Sequence, residues 1–401
     1  MIGPADVAAA AELLAGVVHR TPLQHSRALS DLLGRPVLLK CENLQRTGSF
    51  KIRGAYARLA RLPDEERAHG VVAASAGNHA QGVALAAGLL GLPATVYMPL
   101  DASLPKVAAS RQYGAHVELV GRSVDEALGH AREHAARTGA VLVHPFDHED
   151  VDAGQGTVAL EVVQDVPDVT DLVVPVGGGG LAAGMAAAVA DRPGVRVVGV
   201  QAAGAAAYPA SLAAGRPVPA TELRTMADGI AIGLPGSVPF ELLRAHAVPV
   251  ATVSEDDLSR ALLLVAERAK LLVEPSGAAG VAALMARPGD FAGDGTLVVV
   301  LSGGNVDPLV LMRVVRHGLV AAGRYLGLRV RVADRPGVLA ALLADLAQLG
   351  ANVVHVAHVR TGPDLAVDEV GIDVQVETKG HEHRALVLER LRERGYRPDA
   401  G

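Results

Sequence analysis

The spacing of apolar positions divides the chain near residue 325. Before it, short runs of valine, leucine and alanine recur: "RPVLLKCE", "GVVAAS", "ATVYMP", "HVELVG", "VLVHPF", "DLVVPV", "RVVGVQ" and "TLVVVLS". Helix-spaced segments lie between most of them. Continuous apolar runs predict strands buried on both faces, and the β-then-α rhythm predicts an α/β fold with a parallel sheet covered by helices. Functional loops then belong at the carboxyl ends of the strands, where glycine-rich sequence follows several of these runs.

After about residue 326 the rhythm changes. "LGLRVRVAD" reads as a strand and "PGVLAALLADLAQLG" as a helix with leucines at helical spacing. "ANVVHVAHVR" and "LAVDEVGIDVQVET" alternate as two further strands, and "EHRALVLERLRERG" is a second helix. The order β-α-β-β-α with a short tail predicts a split βαβ, ferredoxin-like unit. We place a domain boundary at Ala322–Leu328, giving a region 1–322 and a unit 328–401.

Composition narrows the class. Half of the 401 residues are hydrophobic, only 2% are aromatic, there is no tryptophan, and there are 45 glycines. That profile suits close helix–sheet packing. A net charge of −6 with no basic stretch speaks against a nucleic-acid surface. The one cysteine, Cys41, reads as packing; it can form no internal disulfide, which fits a reducing cytoplasm. The uncharged stretches 70–100 and 172–190 are broken by Gly, Pro or polar residues, so they read as buried βα units and not as membrane spans. The N-terminus has Asp6 in an alanine-rich helix and no basic leader, so it does not read as a signal peptide.

Chemistry enters at "TGSFKIRGAY". Alone, Lys51 reads as a solvated surface charge. Three further motifs change that reading: "SAGNHAQG", "PVGGGGLAAG" and "SGGN". In the second of these a strand runs into Gly177, Gly178, Gly179 and Gly180, and a helix begins near Leu181. Glycines permit close approach of the backbone to an oxyanion, and the helix N-terminus offers free N–H groups, so the stretch reads as a phosphate cradle; a tight ligand-free turn is the alternative. A dinucleotide would want an acid about 20 positions on, where Gln201 stands instead, and no P-loop Lys-Ser/Thr follows. A smaller phosphate ester fits better. Pyridoxal 5'-phosphate carries a phosphate and an aldehyde that needs a lysine, here Lys51 beside the apolar Phe50. Ser75 to Gly82 opens a helix whose N–H groups suit a carboxylate. Asn78 can donate to a ring hydroxyl oxygen, and Ser302 can hydrogen-bond a ring nitrogen.

Together the four motifs, in this order and spacing, resemble the threonine dehydratase (threonine ammonia-lyase) family of fold-type II pyridoxal-phosphate enzymes over about residues 5–322. The resemblance implies a two-lobed, tryptophan synthase β-like catalytic region, with a small lobe of about 46–139 inserted in a large one. It implies that Lys51 bonds the cofactor and serves as base, and that threonine yields 2-oxobutanoate and ammonia, with serine as a secondary substrate. Cofactor contacts fall on Lys51, Phe50, Asn78, Gly177 to Gly180, Leu181, Ser302 and, more weakly, Glu274, which otherwise reads as a helix cap. Ser75, Gly77, Asn78 and His79 are implied for the substrate carboxylate. Family racemases carry a second serine where Ala76 stands here, so racemisation is not expected. They also hold a divalent ion where Gln201 and Ala207 stand, so no such metal site is expected. "DRPGVL" and "GANV" resemble an ACT domain, implying that Asp334, Arg335 and Gly337 bind an effector such as isoleucine or valine in a homo-oligomer, dimer or tetramer.

Two histidine-rich stretches are set aside. "HPFDHED" (His144 to Asp150) lacks clean metal-site spacing and reads as a loop after a strand. "HEH" (His381 to His383) reads as a helix start, with Glu382 favoured by the dipole. A dehydratase of serine or 3-hydroxyaspartate, and a non-catalytic amino-acid-binding protein, remain as competing readings.

Overall fold

The computed structural model describes residues 1–362 and 365–400. It divides into two compact units, Met1–Leu311 and Met312–Gly401. The helix Pro308–Ala321 runs across the division.

In the first unit the strands are β1 (Leu23–His25), β2 (Val37–Lys40), β3 (Val71–Ala74), β4 (Ala94–Met98), β5 (His116–Leu119), β6 (Val141–Leu142), β7 (Val169–Pro175), β8 (Arg196–Ala202), β9 (Val250–Val253) and β10 (Thr296–Val300). They form two sheets. The larger has the order β1-β2-β10-β7-β8-β9 and is parallel except for β1 on β2; the smaller, β5-β4-β3-β6, is wholly parallel. Continuous apolar strands sit centrally, as expected: Leu172, Val173 and Val174 of β7 and Val298, Val299 and Val300 of β10 are fully buried. Each such side chain contributes about 1.5–3 kcal/mol of apolar burial. Alternation in chain order brings β10 between β2 and β7, so the loops following β7 and β10 open side by side.

The sequence reading missed the short edge strands β1 and β9. It also overextended "VLVHPF": only Val141 and Leu142 pair with β3, after which the chain leaves the sheet. β6 is an edge strand, and the backbone beyond it is used by the site described below.

Glycines set the helix spacing around Lys51. The helix Lys51–Ala60 crosses Glu149–Asp165 so closely that a Cβ on Gly154 would lie 2.6 Å from the Arg53 carbonyl oxygen and 2.7 Å from the Gly54 Cα. On its other side, a Cβ on Gly82 would stand 3.2 Å from the Lys51 Cβ. Gly154→Ala must therefore push the lysine helix outward against backbone, not against a flexible side chain. We expect it to cost about 1–3 kcal/mol, the usual penalty of overpacking, read as a lower urea midpoint. An unchanged midpoint would mean that the two helices do not meet backbone to backbone.

The second unit runs β11 (Tyr325–Ala333), helix Val338–Gln348, β12 (Asn352–Val359), β13 (Glu369–Glu377), helix His381–Glu393 and β14 (Pro398–Ala400). Its sheet is antiparallel, ordered β12-β13-β11-β14. The tail is thus a fourth strand, with Val330 opposite Pro398. Alternate residues Leu326, Leu328 and Val330 face a core with Ile372, Val374, Leu342, Leu346, Val387 and Leu391. The intervening Arg329 lies on the opposite face and pairs with Asp373 at 2.6 Å. This period-two division is what the sequence shows in "LGLRVRVA".

Candidate active site

Lys51 opens its helix directly after Phe50. Its Nζ donates to the Pro145 carbonyl oxygen at 2.9 Å and stands 5.0 Å from the centre of the Phe50 ring. Burial lowers its pKa to about 8, against the upward pull of Asp152 and Glu274. A larger share of the amine is then neutral near physiological pH than for an ordinary lysine.

Two residues on is Arg53, fully buried in the first turn of the same helix. Its guanidinium gives two 2.8 Å bonds to Glu42 and reaches Glu161 at 2.7 Å and the Thr157 hydroxyl at 3.1 Å. Lys40 completes the cluster on Glu161. Burial alone would push the Glu42 carboxyl up, but Arg53 outweighs it and holds the group below the usual range. Two cations and two anions balance, and the helix carrying Lys51 is anchored through its first turn.

The segment before the lysine is held by the loop that follows β10. Phe50 N donates to the Ser302 carbonyl oxygen at 3.2 Å, and Gly304 N to that of Gly48 at 2.9 Å. Asn305 Nδ2 bonds Asn78 Oδ1 at 2.8 Å, and Asn78 Nδ2 donates to Glu274 Oε1 at 2.7 Å. Glu274 is buried, its other oxygen has no partner among the described residues, and burial is the main cause lifting its pKa to about 7. It makes no cap bond to the short helix that follows it, so the capping alternative does not hold. Thus "SFK", "SAGN", "VEPS" and "SGGN", far apart in sequence, meet.

The glycine run joins them through a residue pair that sequence reading passed over. A Cβ on Gly178 would sit 2.4 Å from the Phe146 ring, and one on Gly180 3.0 Å from Phe146 Cβ. Phe146 follows Pro145, the acceptor of Lys51. "HPFD" therefore touches both the lysine and the glycine loop, with its turn held by Asp147 N donating to His144 Nδ1 at 2.8 Å. Gly179 has φ +106, and a Cβ there would overlap the Tyr208 hydroxyl, so glycine is required. Gln201 is buried and accepts from Tyr208 N at 2.9 Å, fixing that tyrosine's helix.

These residues fit pyridoxal phosphate. The helix Gly180–Ala188 starts buried, with no side-chain cap and no acid in its first turn. Uncapped buried N–H groups are a vacancy for an anion. The helix Asn78–Leu90 likewise has neither a side-chain cap nor a first-turn acid, which suits a carboxylate. Its His79 ring is engaged: Nε2 lies 2.8 Å from the Val143 carbonyl oxygen, and burial with the nearby Lys51 lowers its pKa to about 3. His79 thus offers its backbone, not a charged ring. Gly77 N bonds Ser75 Oγ at 3.1 Å. Lys106 arches over Gly77 while pairing with Asp228 at 2.7 Å; nothing in "SLPKVAAS" marks it in the sequence.

In the second unit, Asp334, Arg335 and Gly337 do come together. They line a cavity of about 270 Å³ with His358 and Arg360. Arg360 bonds Asp334 at 2.9 Å, and Gly337, at φ +92, starts the helix Val338–Gln348.

Comparison with known proteins agrees with this picture. The model of the pyridoxal-phosphate dependent enzyme family matches residues 14–303, and that of the ACT domain matches 327–395. The chain is 45% identical to an L-threonine ammonia-lyase of Thermotoga maritima over 99% of this chain and 98% of that one. It is 47% identical to an L-threonine ammonia-lyase of Geobacter sulfurreducens, over 95% of each. The processed form of threonine deaminase isoform 2 from Solanum lycopersicum superposes with a TM-score of 0.75 at 36% identity, over 78% of this chain and 91% of that one. With a lysine, an uncapped glycine loop and a ferredoxin-like C-terminal unit all in place, the chain belongs to the pyridoxal-phosphate-dependent enzyme family and carries a C-terminal ACT domain.

Proposed function

We propose that this protein is a cytoplasmic L-threonine ammonia-lyase that releases 2-oxobutanoate and ammonia, takes L-serine as a second substrate, and responds to isoleucine or valine at its C-terminal unit. The observation that carries the reading is the convergence of Lys51 with the 75–79, 177–180 and 302–305 loops in a chain that matches L-threonine ammonia-lyases over nearly its whole length.

Bound at this site, pyridoxal phosphate supplies an aldehyde that bonds amines and a ring that accepts electrons from the α-carbon. The N–H groups that open the helix Gly180–Ala188 would hold its phosphate. Asn78 would hold the ring hydroxyl and Ser302 the ring nitrogen. A neutral serine hydroxyl does not enforce protonation of that nitrogen, which favours elimination over transamination. The N–H groups of Asn78 and His79, with Ser75 and Gly77, take the substrate carboxylate. Lys51, with its lowered pKa, takes the α-proton. Ala76 offers no group to return a proton to the opposite face, so the amino acid is committed to elimination.

The test is 2-oxo acid release from L-threonine, L-serine and 3-hydroxyaspartate, with D-serine measured alongside. We expect threonine to have the highest kcat/KM and D-serine to be absent. A preference for 3-hydroxyaspartate, or D-serine forming at the rate of pyruvate, overturns the assignment.

Two further expectations follow from titratable and cavity-lining groups. Glu274 accepts from Asn78 as a carboxylate, so protonation as pH falls through about 7 loosens the ring-facing amide. The pH profile of kcat/KM should show an acid limb there, and Glu274→Gln should remove it. An identical limb in both proteins would assign it elsewhere. At the Asp334–Gly337 turn, isoleucine or valine should bind the full-length homo-oligomer and shift threonine kinetics by a coupling of about 1–3 kcal/mol. No heat of binding and no kinetic response to either would make the unit purely structural.

A further inference from the structure

The side chain of Asp152 is fully buried, and neither carboxyl oxygen has a hydrogen-bond partner among the described residues. Its position is defined by close packing. Its carbonyl oxygen lies against Gly184, and its side chain runs back along the helix Gly180–Ala188, so that Oδ1 stands 2.6 Å from where a Cβ on Gly180 would be. An unpartnered carboxyl is thus aimed at the uncapped N-terminus that receives the anion. The helix beside it contributes no titratable side chain. The charged and titratable groups that face it are Asp147 and Glu149 from its own segment, Lys51 from the helix Lys51–Ala60, and Tyr208 from the helix Tyr208–Ala214.

An ionised carboxylate here would be buried without a donor and would stand beside a phosphate of like charge. A neutral carboxylic acid removes both difficulties, because its O–H is a donor to a phosphate oxygen and that bond is charge-assisted. Resting on the cofactor reading above, we propose that Asp152 belongs to the phosphate-binding set, donating as a neutral acid to the phosphate held by Gly180 and its neighbours, so that the cofactor is held less tightly as this carboxyl ionises. Burial and the Asp147 and Glu149 carboxylates favour the neutral form, against the pull of Lys51. The sign follows from linkage. Phosphate binding raises the proton affinity of Asp152, so affinity is full at low pH and declines as pH rises from the carboxyl's value in the free site toward its value in the loaded one.

The probe is pyridoxine 5'-phosphate, which lacks the aldehyde and so leaves the Lys51 bond out of the measurement. Its affinity for the full-length chain is measured across pH for the wild type and for Asp152→Asn, which keeps a donor that does not titrate. The ionisation of the free probe is common to both proteins and cancels in the comparison. We expect wild-type affinity to fall by about tenfold or more relative to the variant as pH rises, as one charge-assisted hydrogen bond is exchanged for repulsion. Profiles that superimpose overturn the proposal. Phosphorus-31 NMR of the wild-type holoprotein gives a reading that needs no variant: the bound phosphate signal should titrate with pH, and a signal that stays constant overturns it. A chain that binds neither pyridoxine 5'-phosphate nor pyridoxal phosphate at any pH overturns the cofactor reading itself, and this proposal with it.

Discussion

Lys51→Ala abolishes turnover and leaves the fold standing. Two functions are lost at one atom: the amine that bonds the cofactor and the base at the α-carbon. Loss of a positioned base alone costs about 10²–10⁴-fold, and loss of the covalent attachment adds to it. The fold does not depend on the amine. The amine donates to the Pro145 carbonyl oxygen, and burying its charged form is unfavourable, as the downward shift to about pKa 8 records. The sign can be checked in the cofactor-free protein. The unfolded chain binds the Lys51 proton up to an ordinary lysine value, the folded one only to about 8, so wild-type stability rises with pH across that window and the alanine variant lacks this rise. Retention of a hundredth of wild-type 2-oxobutanoate production would refute the role. A collapsed urea midpoint would show that the amine is structural.

Arg53→Leu destabilises the region around the lysine by about 3–5 kcal/mol. Leucine supplies apolar volume but leaves Glu42 fully buried with only the Thr21 hydroxyl as donor, and removes two bonds to Glu161. Breaking one side of a buried ion pair costs about 3–5 kcal/mol, because an uncompensated charge stays inside. We expect a loss of that size by urea denaturation. The wild-type contribution of Glu42, whose pKa is held down by Arg53, is present above an ordinary glutamate pKa and is lost as pH falls through the lower folded value. The variant should therefore lose stability most near neutral pH and differ less from wild type in acid. A loss under about 1 kcal/mol, well below the range for a broken buried pair, would contradict the network.

The parts of the site legible in the sequence were those whose chemistry is local. A glycine run after a buried strand, and a lysine between glycines, announce themselves within ten residues. The central strands were legible because they are apolar throughout. What escaped was set by distance along the chain or by shortness. Arg53 is not marked in the sequence, because its partner Glu161 lies 108 positions away. Pro145 and Phe146 read as loop because their value lies in which backbone and which glycines they meet. β1 and β14 have three residues each, too few for a pattern to rise above their flanks. Asp152 sits amid acids at a helix start, where an exposed side chain is the ordinary expectation.

The central claim is that Lys51 is the residue that carries the cofactor. The chain has five lysines, Lys40, Lys51, Lys106, Lys270 and Lys379. Borohydride reduction of the cofactor-loaded protein makes the lysine–cofactor bond permanent, and mass spectrometry of its peptides then locates the added mass. The account predicts that mass on the peptide containing Lys51 alone, together with loss of threonine turnover. Added mass on Lys40, Lys106, Lys270 or Lys379 with Lys51 unmodified would contradict it.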